Sequence, residues 1–199
     1  MFYQPTNRDT GTLPQSPVNA IVAPRPIGWI ATVSRAGQTN LAPYSFFNVV
    51  CGVPPIVAFS SVGPKDTATF ARETGEFTYN LATDSLREQV NQTSIQAPRG
   101  ESEFKLAGLT PVPSVLVKPP RVTESPASFE CVVTEIVDLR DRQGKAAGAF
   151  LIIGEVIGIH IDDRYLRDGR FDTVAARPLA RCGYRDFAVV AETFSMAAA

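Results

Sequence analysis

Residues 128–161 read SFECVVTEIVDLRDRQGKAAGAFLIIGEVIGIHI, two long runs rich in β-branched and aromatic residues around a polar segment. Such runs on either side of a turn are typical of paired strands. Residues 128–139 and 149–161 are therefore predicted to form one long antiparallel hairpin, with its turn at residues 141–145. This hairpin indicates a mainly β protein.

The rest of the chain is divided into short segments by 16 prolines and 14 glycines. Parallel sheets need a crossover, usually helical, between strands, and this sequence predicts too few helices for them. The predicted fold is mainly β, an antiparallel closed barrel with a few short helices. The further strands are expected at residues 27–34, 39–42, 56–61 and 76–82, and the helices at residues 66–74, capped by Asp66 or a neighbouring hydroxyl and ended by Gly75, and 85–93.

Length and composition suit one domain. The chain has 199 residues, 44% of them hydrophobic, and a formal net charge of −1. We expect a single domain over residues 1–199, with an N-terminal extension at 1–16 and a C-terminal tail at 185–199. The small net charge gives no attraction to nucleic acid or to an anionic membrane. No run approaches the ~20 apolar residues of a membrane helix, and no signal peptide is recognisable, so a cytoplasmic protein is expected.

The content of thiols and imidazoles argues against a metal centre. Cys51, Cys131 and Cys182 are widely spaced without a CxxC pair, and His160 is the only histidine. A zinc site needs a closer set of such ligands. We therefore expect no metal and three reduced cysteines.

Residues 41–67, LAPYSFFNVVCGVPPIVAFSSVGPKDT, place aromatic, hydroxyl and cationic side chains just before a predicted helix. A helix N-terminus attracts phosphate through its free backbone N–H groups and its dipole. Ser60, Ser61, Lys65 and Thr67 cluster there, while the preceding loop, residues 40–48, offers apolar surface and polar groups. This order suits a ligand with a planar head and a phosphate tail, such as flavin mononucleotide (FMN).

Ordinary structural roles remain an alternative for these residues. Hydroxyl clusters are common in turns, so the serines can solvate a turn and Lys65 can be a surface charge. Neighbours on a strand face opposite ways, so at least one of Phe46 and Phe47 is expected in the core. The acidic side chains at residues 101, 103, 162 and 163 are expected to be exposed in loops, without a chemical role.

Several segments resemble one known family, the flavin reductase-like, FMN-binding split-barrel family. They are residues 23–30 (APRPIGWI), 40–48 (NLAPYSFFN), 59–61 (FSS), 63–67 (GPKDT), 75–77 (GEF) and 154–160 (GEVIGIH). The similarity extends over about residues 17–190. It implies an antiparallel split β-barrel of Greek-key type, a homodimer with flavin near the subunit interface, and FMN or FAD as the cofactor.

The resemblance also implies which residues bind the cofactor. The flavin ring would be lined by Thr32, Ala42, Pro43, Tyr44, Ser45, Phe46, Phe47 and Asn48, and the phosphate held by Ser60, Ser61, Lys65, Asp66 and Thr67. Arg177 and Arg181 belong to a closing segment that reaches the flavin region, with solvated surface charges as the alternative.

His160 would lie close to the ring as a catalytic residue. On an alternating strand it shares a face with Gly154 and Gly158, and two glycines leave room there for another backbone or a flat ligand. A structural histidine is the equally open alternative.

The implied activity is that of an NAD(P)H:flavin oxidoreductase, which passes a hydride from nicotinamide to flavin N5. Its partners would be a nicotinamide nucleotide and a monooxygenase that uses the reduced flavin. No GxGxxG follows a predicted strand, so the nicotinamide is expected in an open cleft. A flavoredoxin-like FMN electron carrier and an FMN-dependent oxygenase acting on a small organic substrate remain alternatives. The choices between NADH and NADPH, FMN and FAD, and bound and released flavin stay open.

Overall fold

A computed structural model describes residues 1–95, 97 and 101–197. Its longest elements are the two strands of the predicted hairpin, Ala127–Arg140 and Ala146–Ile161, which pair antiparallel along their length. Both extend slightly beyond the predicted bounds. Residues 198 and 199 of the predicted tail lie outside the described residues.

The remaining elements are short. The strands in chain order are β1 (Arg25–Pro26), β2 (Gly28–Val33), β3 (Thr39–Tyr44), β4 (Phe47–Gly52), β5 (Pro55–Val62), β6 (Glu76–Leu81), β7 (Pro111–Val112), β8 (Arg121–Val122), β9 (Ala127–Arg140), β10 (Ala146–Ile161), β11 (Leu166–Arg167), β12 (Arg170–Phe171), β13 (Leu179–Gly183) and β14 (Asp186–Val189). The α-helices are α1 (Val18–Ile21), α2 (Asp66–Thr74), α3 (Arg87–Gln92), α4 (Glu103–Leu106) and α5 (Thr173–Ala176). None of the helices described is long and apolar enough to cross a membrane.

Seven antiparallel strands form the main sheet in the order β3-β2-β6-β9-β10-β5-β4. β3 and β4 are its two edges, yet only Ser45 and Phe46 separate them along the chain. Strands in a sheet lie about 4.8 Å apart, so a two-residue link cannot span a flat sheet of this width. The sheet therefore curls until its edges meet, which confirms the antiparallel split β-barrel.

The two faces of the barrel wall bury different side chains. Inside, Phe47 stacks on Tyr79 with ring centroids 4.8 Å apart. Outside, Trp29 is fully buried and its indole N–H donates to Thr93 Oγ1 at 2.9 Å. β2 is buried along its whole length because Ile30 faces the interior cluster while Trp29 faces the cluster that includes side chains of α3 and α4.

Gly154 and Gly158 lie on opposite faces of β10, because its pairing with β9 shifts register between Val156 and Gly158, so the predicted shared face was wrong. A Cβ at Gly154 would lie 2.4 Å from a ring atom of Phe77, and one at Gly158 would lie 3.3 Å from Cβ of Glu130. Side chains therefore occupy the space beside both glycines, Phe77 inside the barrel and Glu130 outside it, where room for a flat ligand was expected.

The predicted loop at residues 40–48 is mostly strand. β3 and β4 occupy all but Ser45 and Phe46 of it. Pro43 did not indicate a strand, because proline cannot donate to a sheet, but β3 is an edge strand, where a missing N–H is tolerated. Phe47 is buried and Phe46 is exposed, which confirms that one of the two phenylalanines belongs to the core.

α2 has the bounds predicted for it, with one difference at its start. Lys65, not Asp66 or a hydroxyl residue, occupies the N-cap position, and no side chain there makes a capping hydrogen bond. Gly75 ends the helix in the left-handed region at φ 73°, as the sequence predicted.

The C-terminal strands β13 and β14 form a second sheet with β1, in the order β1-β13-β14. Arg181 is paired with Arg25 on one side and with Phe187 on the other. β14 lies within the predicted tail, and it makes that part of the tail an edge strand.

Candidate functional site

A cavity of about 660 Å³ opens where the edges β3 and β4 meet, next to the start of α2. It brings together nine of the predicted cofactor-binding residues: Ala42, Pro43, Tyr44, Ser45, Phe46, Ser60, Lys65, Asp66 and Thr67. The fold explains the grouping, because the two-residue link between β3 and β4 lies beside β5, whose Ser60 N–H donates to the Phe46 carbonyl oxygen at 2.8 Å.

The start of α2 contributes a positive region to this cavity. The helix has nine residues and no side-chain cap, so its first N–H groups are free of a side-chain partner and the dipole adds to the charge of Lys65. Thr67 is held in place by the Asn40 side-chain amide, which donates to Thr67 Oγ1 at 2.6 Å in a buried position. Asp66 adds one negative charge to the same lining. Lys65, the hydroxyls and the N–H groups form a donor set that suits a phosphate.

Tyr44 carries a buried hydroxyl on the wall of the cavity. The residue is 8% exposed, and its hydroxyl makes no hydrogen bond within the described residues. Burial raises the pKa of Tyr44, and the nearby Thr67 and Ser61 hydroxyls oppose that rise. The phenol is therefore neutral at ordinary pH and has a proton available for a ligand.

Glu103 is a functional candidate that the sequence analysis placed in an exposed loop. It is buried, lines the cavity, and accepts a hydrogen bond from the Leu41 backbone N–H at 3.0 Å. Burial raises the pKa of Glu103, and the negative charge of Asp66 adds to that rise. The expectation of an exposed carboxylate was wrong because α4 packs against β3, a contact between segments about 60 residues apart that local sequence does not show.

Six predicted cofactor residues do not line this cavity, four of them in the barrel strands and two of them arginines. Thr32 and Ser61 are fully buried, and Thr32 lies directly opposite Asn40 in the pairing of β2 with β3. Phe47 and Asn48 instead border an open surface cavity that also contains Phe46 and Ser60.

The two predicted arginines occupy different places. The Arg177 guanidinium binds the carboxylate of Asp84, with N–O distances of 3.1 and 3.2 Å. Asp84 also pairs with Arg87. Arg181 instead lines a neighbouring cavity of about 400 Å³. Neither arginine lines the cavity beside α2.

His160 lines neither the cavity beside α2 nor the neighbouring cavity that contains Arg181. It forms a hydrogen bond with Glu130. His160 Nε2 is 2.5 Å from Glu130 Oε1. Glu130 is fully buried and accepts the backbone N–H groups of Val115, Leu116 and Val117. Burial raises the pKa of Glu130, but these donors and His160 outweigh it and hold the pKa below its usual range. This arrangement favours the structural alternative for His160.

Several lining residues had no signal in the sequence. They come from the segment after α3 and from α4: Thr93, Ser94, Ile95, Ala97 and Glu103. They lie far along the chain from residues 40–67, so local sequence patterns do not show that the two segments meet at the cavity. Among the residues described, no three His, Cys, Asp or Glu side chains are grouped so that they could hold a metal ion.

Comparison with known proteins identifies the family of the chain. A family model described as "Flavin reductase like domain" matches residues 22–175. The chain belongs to the flavin reductase-like family. A relative from Halalkalibacterium halodurans, an uncharacterized protein, is 40% identical over 181 residues, which are 88% of this chain and 86% of the relative.

Solved structures of similar proteins share the whole fold of this flavin reductase-like protein. Component B of nitrilotriacetate monooxygenase from Bacillus cereus is 29% identical, with a TM-score of 0.89 and 98% of each chain covered. A protein assigned as a flavin reductase with a split barrel domain, from Shewanella frigidimarina, is 26% identical, with a TM-score of 0.86 and 100% of each chain covered.

Proposed function

We propose that this flavin reductase-like protein binds FMN in the cavity beside α2 and reduces it with a hydride from NADH or NADPH. The observation that carries the proposal is the joining, in one cavity, of the β3–β4 link with the uncapped N-terminus of α2 and Lys65. A flavin needs both kinds of surface, because its ring is planar and its tail carries a phosphate.

The side chains and N–H groups that line this cavity suit both ends of the proposed cofactor. For the phosphate there are Lys65, the hydroxyls of Ser60 and Thr67, and the N–H groups of α2. For the ring there are Pro43, Phe46 and the unpartnered hydroxyl of Tyr44. Asp66 and Glu103 oppose an anion, and the raised pKa of Glu103 reduces that opposition.

Flavin, when bound, supplies the chemistry of hydride acceptance. The protein's residues orient it: the start of α2 fixes the tail, and the link between the sheet edges borders the ring. Tyr44, held neutral by burial, can donate to a ring acceptor. Phe46 is half exposed at the opening, which leaves an open approach for a nicotinamide.

We extend the proposal to a homodimer and to a monooxygenase partner. Large apolar side chains are exposed on β4 and its turn (Val49, Val50, Val53) and on the end of β10 (Ile157, Ile159, Ile161). Exposed apolar surface of this kind marks association sites. The likeness to a monooxygenase component B supports a second protein as acceptor of the reduced flavin.

The proposed activity is tested by adding NADH or NADPH to the purified protein with FMN and recording the absorbance of nicotinamide and flavin. We expect nicotinamide oxidation that depends on both protein and FMN. FMN that binds but stays oxidised with either nucleotide would instead support an electron carrier or an oxygenase. Absence of FMN binding would refute the proposed site.

A further inference from the structure

The cavity of about 400 Å³ next to the proposed flavin site has walls of two kinds. It shares Pro43, Ser45 and Ser94 with the larger cavity, so the two are neighbours. We propose that this smaller cavity binds a small, mainly apolar carboxylic acid, such as an aromatic carboxylate, as the organic ligand of the protein.

The apolar wall is one face of the three-stranded sheet. Residues directly opposite in an antiparallel pair, and residues two apart in a strand, point to the same face. Leu179 pairs with Val189 and Arg181 pairs with Phe187, so these four side chains share a face, and all four line the cavity. Ile27 completes the apolar part, which is continuous with the core cluster of Leu179.

Arg181 is the cation in this wall, and it has no carboxylate partner among the residues described. Arg181 gives one N–H to the Tyr184 carbonyl oxygen, and its guanidinium lies 4.4 Å from the centroid of the Phe187 ring. Arg25, directly opposite in the pairing, donates to the carbonyl oxygens of Asn19 and Val22. Two guanidinium groups therefore start from adjacent positions, and neither forms an ion pair with a carboxylate in the described part of the chain, which favours an anion nearby.

The opposite wall, from α3, adds one cation and one carboxylate to the lining. Arg87 and Glu88 both line the cavity. Arg87 pairs with Asp84, but Asp84 is shared with Arg177. Among the charged residues that line the cavity, Arg87 and Arg181 are therefore opposed only by the carboxylate of Glu88. One negative charge on the ligand would balance the group.

The volume and lining define the ligand class. A cavity of about 400 Å³ is within the range for small-molecule sites, which are mostly apolar with a few polar groups that fix orientation. Ile27, Leu179 and Val189 would contact the body of the acid, and Arg181 would bind its carboxylate. A contact between the acid and a flavin ring would rest on the proposed function. Binding of the acid in this cavity does not depend on it.

The test compares benzoate with benzamide, which has nearly the same shape and no charge, by isothermal titration of the whole protein with and without FMN. We expect benzoate to bind about tenfold or more tightly than benzamide, in line with a charge-assisted hydrogen bond. Equal affinities, or no benzoate binding at millimolar concentration, would overturn the inference without any substitution.

Two variants test where the acid binds. Arg181→Gln should remove most of the preference for benzoate, while Arg185→Gln, a change of the same charge at an exposed residue of the same hairpin outside this lining, should retain it. An Arg181→Gln variant that weakens FMN or NADH as much as benzoate would assign the cavity to cofactor or donor and overturn the inference. If FMN fails to bind but benzoate binds with this pattern, the proposed function falls and this inference stands.

Discussion

Tyr44 is the residue whose chemistry most directly connects the barrel to a ligand. Its hydroxyl is buried on the cavity wall without a hydrogen-bond partner in the described part of the chain. An unsatisfied buried polar group costs about 1–3 kcal/mol. A ligand acceptor at this hydroxyl would recover that free energy, so stability and binding should respond differently to its removal.

The Tyr44→Phe substitution should therefore weaken FMN binding without lowering stability. We expect the dissociation constant for FMN to rise about threefold to tenfold, and the free energy of unfolding without FMN to stay equal or rise by about 1 kcal/mol. Flavin fluorescence titration and urea unfolding measure the two quantities. Tyr79→Phe is the control, because Tyr79 is buried but does not line the cavity. Equal loss of FMN affinity in both variants would contradict the role of Tyr44.

Glu130 should make the protein sensitive to acid. Its pKa is lowered in the folded state, so the carboxylate stabilises the fold above its unfolded pKa of about 4.3, and this contribution is lost as the pH falls through the lower, folded pKa. Glu130→Gln should lower the free energy of unfolding by about 1–3 kcal/mol at neutral pH and make its acid dependence shallower. Urea unfolding at several pH values tests this, and a Glu130→Gln variant as stable as the wild type would contradict it.

Individual residues were predictable where local chemistry decides. Gly75 at the end of α2 and the positions of Ser60, Lys65 and Thr67 on the cavity follow from neighbours in the sequence. Glu103 was not predictable, because only the packing of α4 on β3 buries it.

α2 is the element on which the proposed phosphate site depends. Its last residue is followed by Gly75 at φ 73°, where an added Cβ would meet nothing within 4 Å. Any cost of a side chain there comes from the left-handed backbone, which asparagine tolerates better than alanine. Alanine and asparagine at residue 75 therefore differ in backbone strain and not in contact with neighbouring atoms.

We expect Gly75→Ala to lower the free energy of unfolding by about 1–2 kcal/mol, and Gly75→Asn to lower it by less. Thermal or urea unfolding of the two variants makes the comparison. Equal destabilisation would show that the end of α2 is limited by something other than its backbone conformation.

The strands and helices were predictable in unequal measure. β9, β10 and α2 have strong local patterns, and their predicted bounds nearly match the structure. β4 was missed, although it pairs with β5 in a local hairpin closed between Gly52 and Pro55, because its first residues were interpreted as part of a ligand-binding loop.

At the scale of the molecule, barrel closure creates the proposed site. The two edge strands are consecutive in the chain, so their link, α2 and the segment after α3 meet around one cavity. The sequence predicted the class of fold. The strand order and the second cavity depend on pairings between distant segments, including β1 with β13, which local patterns do not contain.

The homodimer proposal has its own measurement. Light scattering during gel filtration should give twice the chain mass of 21.5 kDa. Ile159→Lys, on the exposed end of β10, should shift the protein toward the monomer because it places a charge in apolar contact surface. A wild-type mass of one chain at micromolar concentration would contradict the proposal.

The central claim is that FMN binds with its phosphate at the start of α2, and the most direct measurement compares FMN with riboflavin, which lacks the phosphate. Flavin fluorescence titration of the wild type should give a dissociation constant at least about tenfold lower for FMN. Lys65→Gln should remove much of that difference, and Lys118→Gln, at an exposed residue outside both cavities, should retain it. Equal affinities of the wild type for FMN and riboflavin would contradict the account.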